Sequence, residues 1–521
     1  MVSLALTVSL GLLVSFSNAE RITSTPSCCS LLSEAFPDTI YDKNTQTWSS
    51  EKYNFWSATA VLDPACIFTP TSTEDVSRAV MLFSQNECKF SIKGGGHSNI
   101  PGAASIDDGV MMVMSQMKTA EIHPEEGYIH VGAGVLLKDI YATLDPHNLS
   151  AVIGRYGEIG LGLALGAGIS YFSNRDGLAV DNIRNYEVVL ADGKVVNANI
   201  KENKDLFWAL KGGNNNFGVV THFDLNTVAI PGSAYGGLIH YPQSSLDKVN
   251  DLVYDYHTYQ AVEGLLTHAM PQWVYNGSTN DTYNLTPVIY NDNVEELPPI
   301  MKPWLDVPHT SSTLAPRSYE NLSIYLNEGF GDGLIQEQRV FTVYADKKFY
   351  KDVLYKFREW LQNFQDVPGF LGAHLNMPIT PRQIHQGLLK GGNALGLEGA
   401  GNHTLGVLFF GITFEDPQYK EYILPEHDKF VQSMIELARE RGVLYPYMYA
   451  PSYLAPIQLP GTTHYTIMLT YCGYNQAAVA SYGPDNVDRL WRVQHKYDPK
   501  AVFQRLVPGG QKLPPQEQQV H

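Results

Sequence analysis

The run Ser91-Ile92-Lys93-Gly94-Gly95-Gly96-His97-Ser98 sets the terms for the rest of this chain. Residues 89–92 predict a short strand, and three consecutive glycines follow it at once. A backbone without side chains can approach an anion closely, and its N–H groups can converge on a phosphate. A histidine directly after such a loop then sits beside whatever the phosphate carries. Alone, the run also fits a glycine turn with a surface histidine. The flanking sequence separates the two readings.

Working outward, Gly154-Arg155-Tyr156-Gly157 is followed by Gly160, Gly162, Gly166 and Gly168. That density suits a backbone wrapped around a flat or phosphorylated ligand; the alternative is a glycine-rich helix packed on a sheet. A third piece runs from Asp205-Leu206-Phe207-Trp208 through Lys211-Gly212-Gly213-Asn214-Asn215-Asn216-Phe217-Gly218-Val219-Val220-Thr221. A fourth is Tyr482-Gly483-Pro484-Asp485-Asn486, with Lys496-Tyr497-Asp498-Pro499 and Phe503 behind it. In this order the four pieces resemble the berberine-bridge-enzyme-like branch of the vanillyl-alcohol-oxidase/p-cresol-methylhydroxylase flavoprotein superfamily. The resemblance covers nearly the whole chain and is densest over 66–221 and 482–513.

The resemblance implies an α+β fold: a bipartite FAD-binding domain of the p-cresol-methylhydroxylase type plus an antiparallel-sheet substrate domain. It implies FAD, with Lys93, Gly94, Gly95, Gly96 and Ser98 around the pyrophosphate and His97 bonded to the flavin 8α carbon. Gly154, Gly157, Gly160 and Gly162 are expected along the isoalloxazine and ribityl chain. Asn216, Gly218 and Val220 are expected near the flavin and adenosine, and Tyr482 joins the cofactor-binding set. Bicovalent members carry a second link through Cys in Gly-X-Cys; Tyr156 holds that place here, so attachment is expected to be monocovalent, through His97. The glycine stretch 160–168 is one residue shorter than the usual pattern. Gly473-Tyr474 replaces the usual Asn-Tyr pair, some twenty residues from about Ala450 look inserted, and Tyr474 is the candidate catalytic base.

The reaction implied is hydride transfer from a small organic substrate to flavin, with molecular oxygen as acceptor and hydrogen peroxide as product. The position matching Ile159 is associated with oxygen access. Tyr156 leans away from sugars and toward a secondary metabolite. A carbohydrate oxidase, or a cyclase or binding protein with a vestigial flavin, are the alternatives. A nicotinamide-dependent dehydrogenase would need Gly-X-Gly-X-X-Gly between a strand and a helix. Gly132-Ala133-Gly134 lacks the third glycine, and Gly160-Leu161-Gly162 has its next glycine misplaced.

Composition sets outer limits. The chain has 521 residues, and single cores stop growing at roughly 250–300, so two or three domains are expected. Lys plus Arg total 36 against 53 Asp plus Glu, a formal charge of −17. Such a surface repels phosphate backbones and anionic lipid, so neither nucleic acid nor membrane is an expected partner. Residues 1–19 read as a secretory signal, with an apolar run over 4–16 and Ser17-Asn18-Ala19 at the cleavage site. Sequons at Asn148, Asn276, Asn280, Asn284, Asn321 and Asn402 agree with export. Of the five cysteines, Cys28, Cys29, Cys66 and Cys88 can form two bridges, leaving Cys472 over. One of the adjacent pair is expected to bridge Cys88. No Cys or His spacing suggests a metal site.

Local signals order the rest. Thr71 and Glu74 read as a capping box for a helix carrying Val76, Ala79, Val80 and Phe83. Strands are predicted over 110–114, 128–131 and 218–229, and a hairpin over 186–190 and 194–198 around Ala191-Asp192-Gly193. Helices are predicted over 135–144, 205–210, 348–364 and 485–496, and a strand over 336–344. The stretch 390–402 reads as a mobile loop. The expected organisation is a signal peptide (1–19), a lead-in (20–61), an FAD domain (62–232), a substrate domain (233–470) and a returning segment (471–521).

Overall fold

The computed structural model describes residues 27–326, 333–445 and 472–516. The expected signal, the inserted-looking stretch from Ala450 and the boundary at 470/471 lie outside the described residues. β1 (Ile40–Tyr41), β2 (Cys66–Phe68), β3 (Phe90–Lys93) and β4 (Val110–Val113) form a first sheet in the order β1-β2-β4-β3. β2 and β3 both run parallel to β4. Val110-Met111-Met112-Val113 is buried at every position, as a strand covered on both faces requires.

The second sheet is antiparallel, built from β5 (Ala120–His123), β6 (Tyr128–Gly132), β7 (Leu149–Ala151), β8 (Ile183–Val189), β9 (Val195–Asn199) and β10 (Val219–Ala229). Its order is β5-β6-β10-β8-β9, with β7 also on β10. The β8–β9 hairpin closes where the Asp-Gly signal stood, and Gly193 takes φ +82° there.

The third sheet holds β11 (Ala234–Tyr241), β12 (Thr267–Ala269), β13 (Gln272–Asn276), β14 (Asp281–Tyr290), β15 (Ser311–Ser312), β16 (Ala315–Arg317), β17 (Ile335–Tyr344), β18 (Leu371–Ile379) and β19 (Leu405–Phe414). The order is β15-β11-β14-β13-β18-β19-β17, with β12 on β14 and β16 on β11. Alternation decides what each face meets. Leu408, Phe410, Ile412 and Phe414 pack with the helices Leu246–Asp255, Lys347–Leu361 and Lys420–Glu440. Val407 and Phe409 point the other way, toward the core of the first two sheets. One sheet face is thus turned onto the glycine loops.

Two disulfides tie down the N-terminus: Cys28 to Cys88 and Cys29 to Cys66, while the buried Cys472 takes part in neither. Splitting the adjacent pair fastens the helix Cys28–Ala35 to β2 and to the far end of the helix Thr73–Asn86. No helix among the described residues is long and apolar enough to cross a membrane.

Three expectations need correction. The cap of helix Thr73–Asn86 is Ser72, whose hydroxyl accepts from Asp75 N, while Thr71 bonds the Asp75 carboxylate. The sequence offers a hydroxyl and an acid in both registers, so the box slides by one residue. The stretch 390–402 is a clasp and not a free loop: Ala394, Leu395, Leu397 and Ala400 are buried, and Ala394 N donates to Lys211 O at 2.9 Å. Asn284 is fully buried on β14, so this fold leaves no room for a glycan at that sequon.

Buried histidines give the fold a pH signature. Burial pulls His257 from 6.5 to about 3 and His374 from 6.5 to about 4. Both are neutral in the fold. A depressed value contributes stability that is complete above the unfolded pKa and is lost as pH falls through the folded one. The melting temperature should therefore drop between pH 6.5 and 4. Calorimetry with His257→Gln should show a shallower drop, and an equal slope in variant and parent would reject this origin.

Candidate functional site

Between the glycine loop after β3 and the inner face of the third sheet lies a cavity of ≈ 300 Å³. That is the lower end of the range for small-molecule sites. Gly94, Gly95, Gly96, His97 and Ser98 form one wall, joined by Ile159, Gly160, Gly162 and Gly166. No described residue accepts a hydrogen bond from the backbone N–H of Gly95, Gly96, His97 or Ser98. Successive unengaged donors of this kind suit an anion.

The glycines divide by cause. A Cβ on Gly95 would lie 2.5 Å from Gly160 N, and one on Gly160 would lie 2.4 Å from Gly95 N. These two let the loops meet backbone to backbone. At Gly162 a Cβ would meet nothing within 4 Å, so the missing side chain there leaves open space. A wall of unengaged N–H groups beside open space fits a dinucleotide.

The opposite wall follows sheet register. Gln272, Leu375 and Phe409 lie abreast across β13, β18 and β19. Ala373, Gly411 and Gln338 form the next rung, and Leu371, Thr413 and Gln336 the third. Apolar groups dominate, with glutamines at the strand edges. Between the walls, Tyr156 accepts a hydrogen bond from Gln272 Nε2 at 3.2 Å, its ring packed with Met270, Ala373, Leu375 and Phe409. Arg155 also faces the cavity; its guanidinium meets His268 Nε2 at 3.5 Å and Met377 Sδ at 3.4 Å. Burial and the Arg155 charge hold His268 well below its ordinary pKa, so that ring is neutral.

His97 lines the cavity at the end of the glycine loop. Burial lowers its pKa from 6.5 to about 4, which leaves an uncharged imidazole at neutral pH. Its ring stacks on Trp56. Cys472 also borders the cavity, and burial pushes its thiol up to about 12, so it is no nucleophile.

Several sequence candidates sit elsewhere. Lys93 turns away and donates to Glu51 O at 2.8 Å and to the Glu51 carboxylate at 3.0 Å. Gly154 is pressed against Leu137 and Leu163, and Gly157 against Lys138 and Ser323. Asn216 is fully buried and ties Gly213 O to Gln511 O at 2.7 and 2.8 Å. Gly218 makes room for Val188 and Val189, and Val220 is a ladder residue of β10. Tyr482 is buried, its hydroxyl donating to Gly212 O at 3.1 Å. None of these borders the cavity. Tyr474 is 43% exposed and lies over the Arg339 guanidinium at 4.8 Å. Arg339 is held in turn by Glu337 at 2.9 Å and Asp428 at 2.7 Å. The phenol therefore covers a buried ion pair and does not enter the cavity. Sequence reasoning missed Trp56, Gln272, Gln336 and Gln338 as site residues. The sheet residues show strand alternation, but alternation does not say which face turns to the cofactor.

Known proteins agree with this geometry. Residues 64–199 match the family described as FAD binding domain. The chain is 30% identical to the FAD-dependent monooxygenase prx3 of Penicillium roqueforti, covering 98% of this chain and 97% of that one. Among solved structures, glucooligosaccharide oxidase from Acremonium strictum superposes with TM-score 0.74 at 20% identity, covering 94% of this chain and 100% of that one. The 6-hydroxy-D-nicotine oxidase of Arthrobacter nicotinovorans gives TM-score 0.73 at 19% identity, covering 92% of this chain and 98% of that one. Cradle, sheet and relatives together define an FAD-dependent oxidoreductase. Within that class, the chain belongs to the family of the P. roqueforti FAD-dependent monooxygenase, and its fold is the one seen in the berberine-bridge-enzyme-like structures.

Proposed function

We propose that this enzyme is secreted, carries FAD on a single covalent bond to His97, and oxidises a small secondary metabolite with oxygen as acceptor and hydrogen peroxide as product. The observation that carries the reading is a neutral, half-buried His97 inside a cradle of unengaged N–H groups, beneath an apolar sheet face. Bound FAD supplies the redox chemistry by accepting hydride from a substrate C–H.

The chain's own residues do the rest. The Gly95 to Ser98 amides bind the pyrophosphate, and His97 supplies the nitrogen for attachment. Met270, Ala373, Leu375 and Phe409 keep water from the reacting face. Tyr156 and Gln272 form a polar pair that can orient a substrate oxygen, and the phenol can exchange a proton with it. Ile159 borders the cavity, which suits control of oxygen entry. The name of the P. roqueforti relative, a monooxygenase, agrees with an oxygen-using reaction.

A sugar substrate is the second reading, since one structural neighbour is an oligosaccharide oxidase. Sugars present many hydroxyls, and each one buried without a partner costs about 1–3 kcal/mol. The Leu371, Ala373, Leu375 and Phe409 surface offers few partners, which favours an aromatic or polycyclic compound. The test is a panel of benzylic alcohols, alkaloid amines, polyketide lactones and gluco-oligosaccharides. The readouts are anaerobic flavin bleaching and peroxide release in air. A ring compound should bleach the flavin; bleaching by the oligosaccharides alone would reverse the substrate reading. Protein recovered from culture medium should begin at Glu20. An uncleaved N-terminus would reject secretion by this signal.

A further inference from the structure

We propose that Trp56, on a strap formed by residues 54–59, is the positioning residue that sets the His97 imidazole for covalent attachment of FAD. The proposal rests on the His97 linkage inferred above. The indole and imidazole rings lie parallel, 4.7 Å apart with 10° between their planes. An imidazole forms a bond only along the in-plane lone pair of one nitrogen. A free ring would swing about its side-chain torsions and spend little time aimed correctly. A stacked indole fixes the plane and leaves the ring edge open toward the cavity. It also covers one imidazole face from water, in keeping with the burial that keeps His97 uncharged.

The strap is itself locked on both sides. Toward the cradle, Trp56 N donates to Gly96 O at 3.1 Å. Gly96 sits at φ +72°, and a Cβ there would lie 2.7 Å from Asn54 O, so the two backbones touch. Thr59 Oγ1 donates to Asn99 O at 2.6 Å, two residues beyond His97. Toward the third sheet, Gly333 N and Gln336 Nε2 both donate to Trp56 O at 3.1 Å. Ala58 N donates to Leu334 O at 2.8 Å, and Ser57 Oγ bonds Gln336 O at 3.0 Å. The start of β17 therefore holds the strap, the strap holds the indole, and the indole holds the imidazole.

The attachment step balances as follows. A C–N bond forms between the imidazole and the 8α carbon; an imidazole N–H and an 8α C–H are lost. Their two protons and two electrons go to the isoalloxazine ring, and molecular oxygen removes them as hydrogen peroxide.

The test uses full-length protein made under riboflavin starvation and then supplied with FAD. Acid-stable flavin is followed over time, and total bound flavin is measured by fluorescence quenching. Misplacement by an ångström costs bond-forming steps as much as about 100-fold, so Trp56→Ala should slow attachment about 10-fold or more while still binding FAD. Trp56→Phe, which keeps a stacking ring, should attach at close to the parent rate. Gln336→Ala, which loosens the strap from outside, should slow attachment without touching the indole. It also decides the matter if Trp56→Ala does not fold. Parent-rate attachment in Trp56→Ala, or in Gln336→Ala where the first is unfolded, overturns the proposal. So does Phe as slow as Ala. Parent protein without any acid-stable flavin sinks the His97 linkage instead.

Discussion

His97→Ala should release its entire flavin into the supernatant when the protein is precipitated with acid, whereas the parent pellet should stay yellow. No other described cavity residue offers a substitute nitrogen or thiolate. Tyr156 presents a phenol that accepts from Gln272, and the Cys472 thiol is pushed up to about 12 by burial. The variant should still bind FAD, because the Gly95 to Ser98 amides and the Gly160 contact do not depend on the imidazole. Its flavin should also be harder to reduce, since an electron-withdrawing link at 8α is gone. Peptide mass analysis across residues 91–98 checks the parent, and flavin that stays with precipitated His97→Ala would remove the linkage from this residue.

Gly160→Val should be the more damaging change to cofactor binding. A Cβ at Gly160 would lie 2.4 Å from Gly95 N and 2.9 Å from Gly95 Cα, both backbone atoms of the cradle. No flexible side chain can yield, so the two loops must separate. Overpacking of this kind costs about 1–3 kcal/mol, and the displaced wall is the one that meets the dinucleotide. The protein should be recovered folded but nearly colourless. Gly162→Ala is the matched control. With nothing within 4 Å of its Cβ, it should keep the loops in place and alter only the opening. Flavin absorbance per mole of protein separates the two; equal occupancy would show that the loop contact does not shape the cradle.

Much of this was legible in the sequence, and the limits have physical reasons. The glycine loop could be read because only glycine serves where Gly95 meets Gly160, and His97 follows it at the cavity wall. The β8–β9 hairpin was announced by Asp-Gly, and the helix Pro484–Tyr497 by its apolar spacing. Pairings between distant strands were not legible. β17 lies at the sheet edge beside β19, some seventy residues on, and nothing local sets that neighbour. Motif membership also proved a poor guide to contact. Asn216 and Tyr482 belong to the densest motifs, yet they fasten backbone to backbone behind the cavity wall. Tyr474 was read as a base from its motif, but its ring shields Arg339. Trp56 gave no signal at all, because a stacked pair forty residues apart has no local pattern.

The cavity wall also includes Gly510 and Gln511, at the far end of the chain. Gln511 O accepts from Asn216 Nδ2, and Gln504 reaches Asn216 as well. The chamber therefore closes only when stretches far apart in the chain, such as residues 94–98 and 510–511, come together. A dinucleotide held there would in turn clasp those distant stretches to one another.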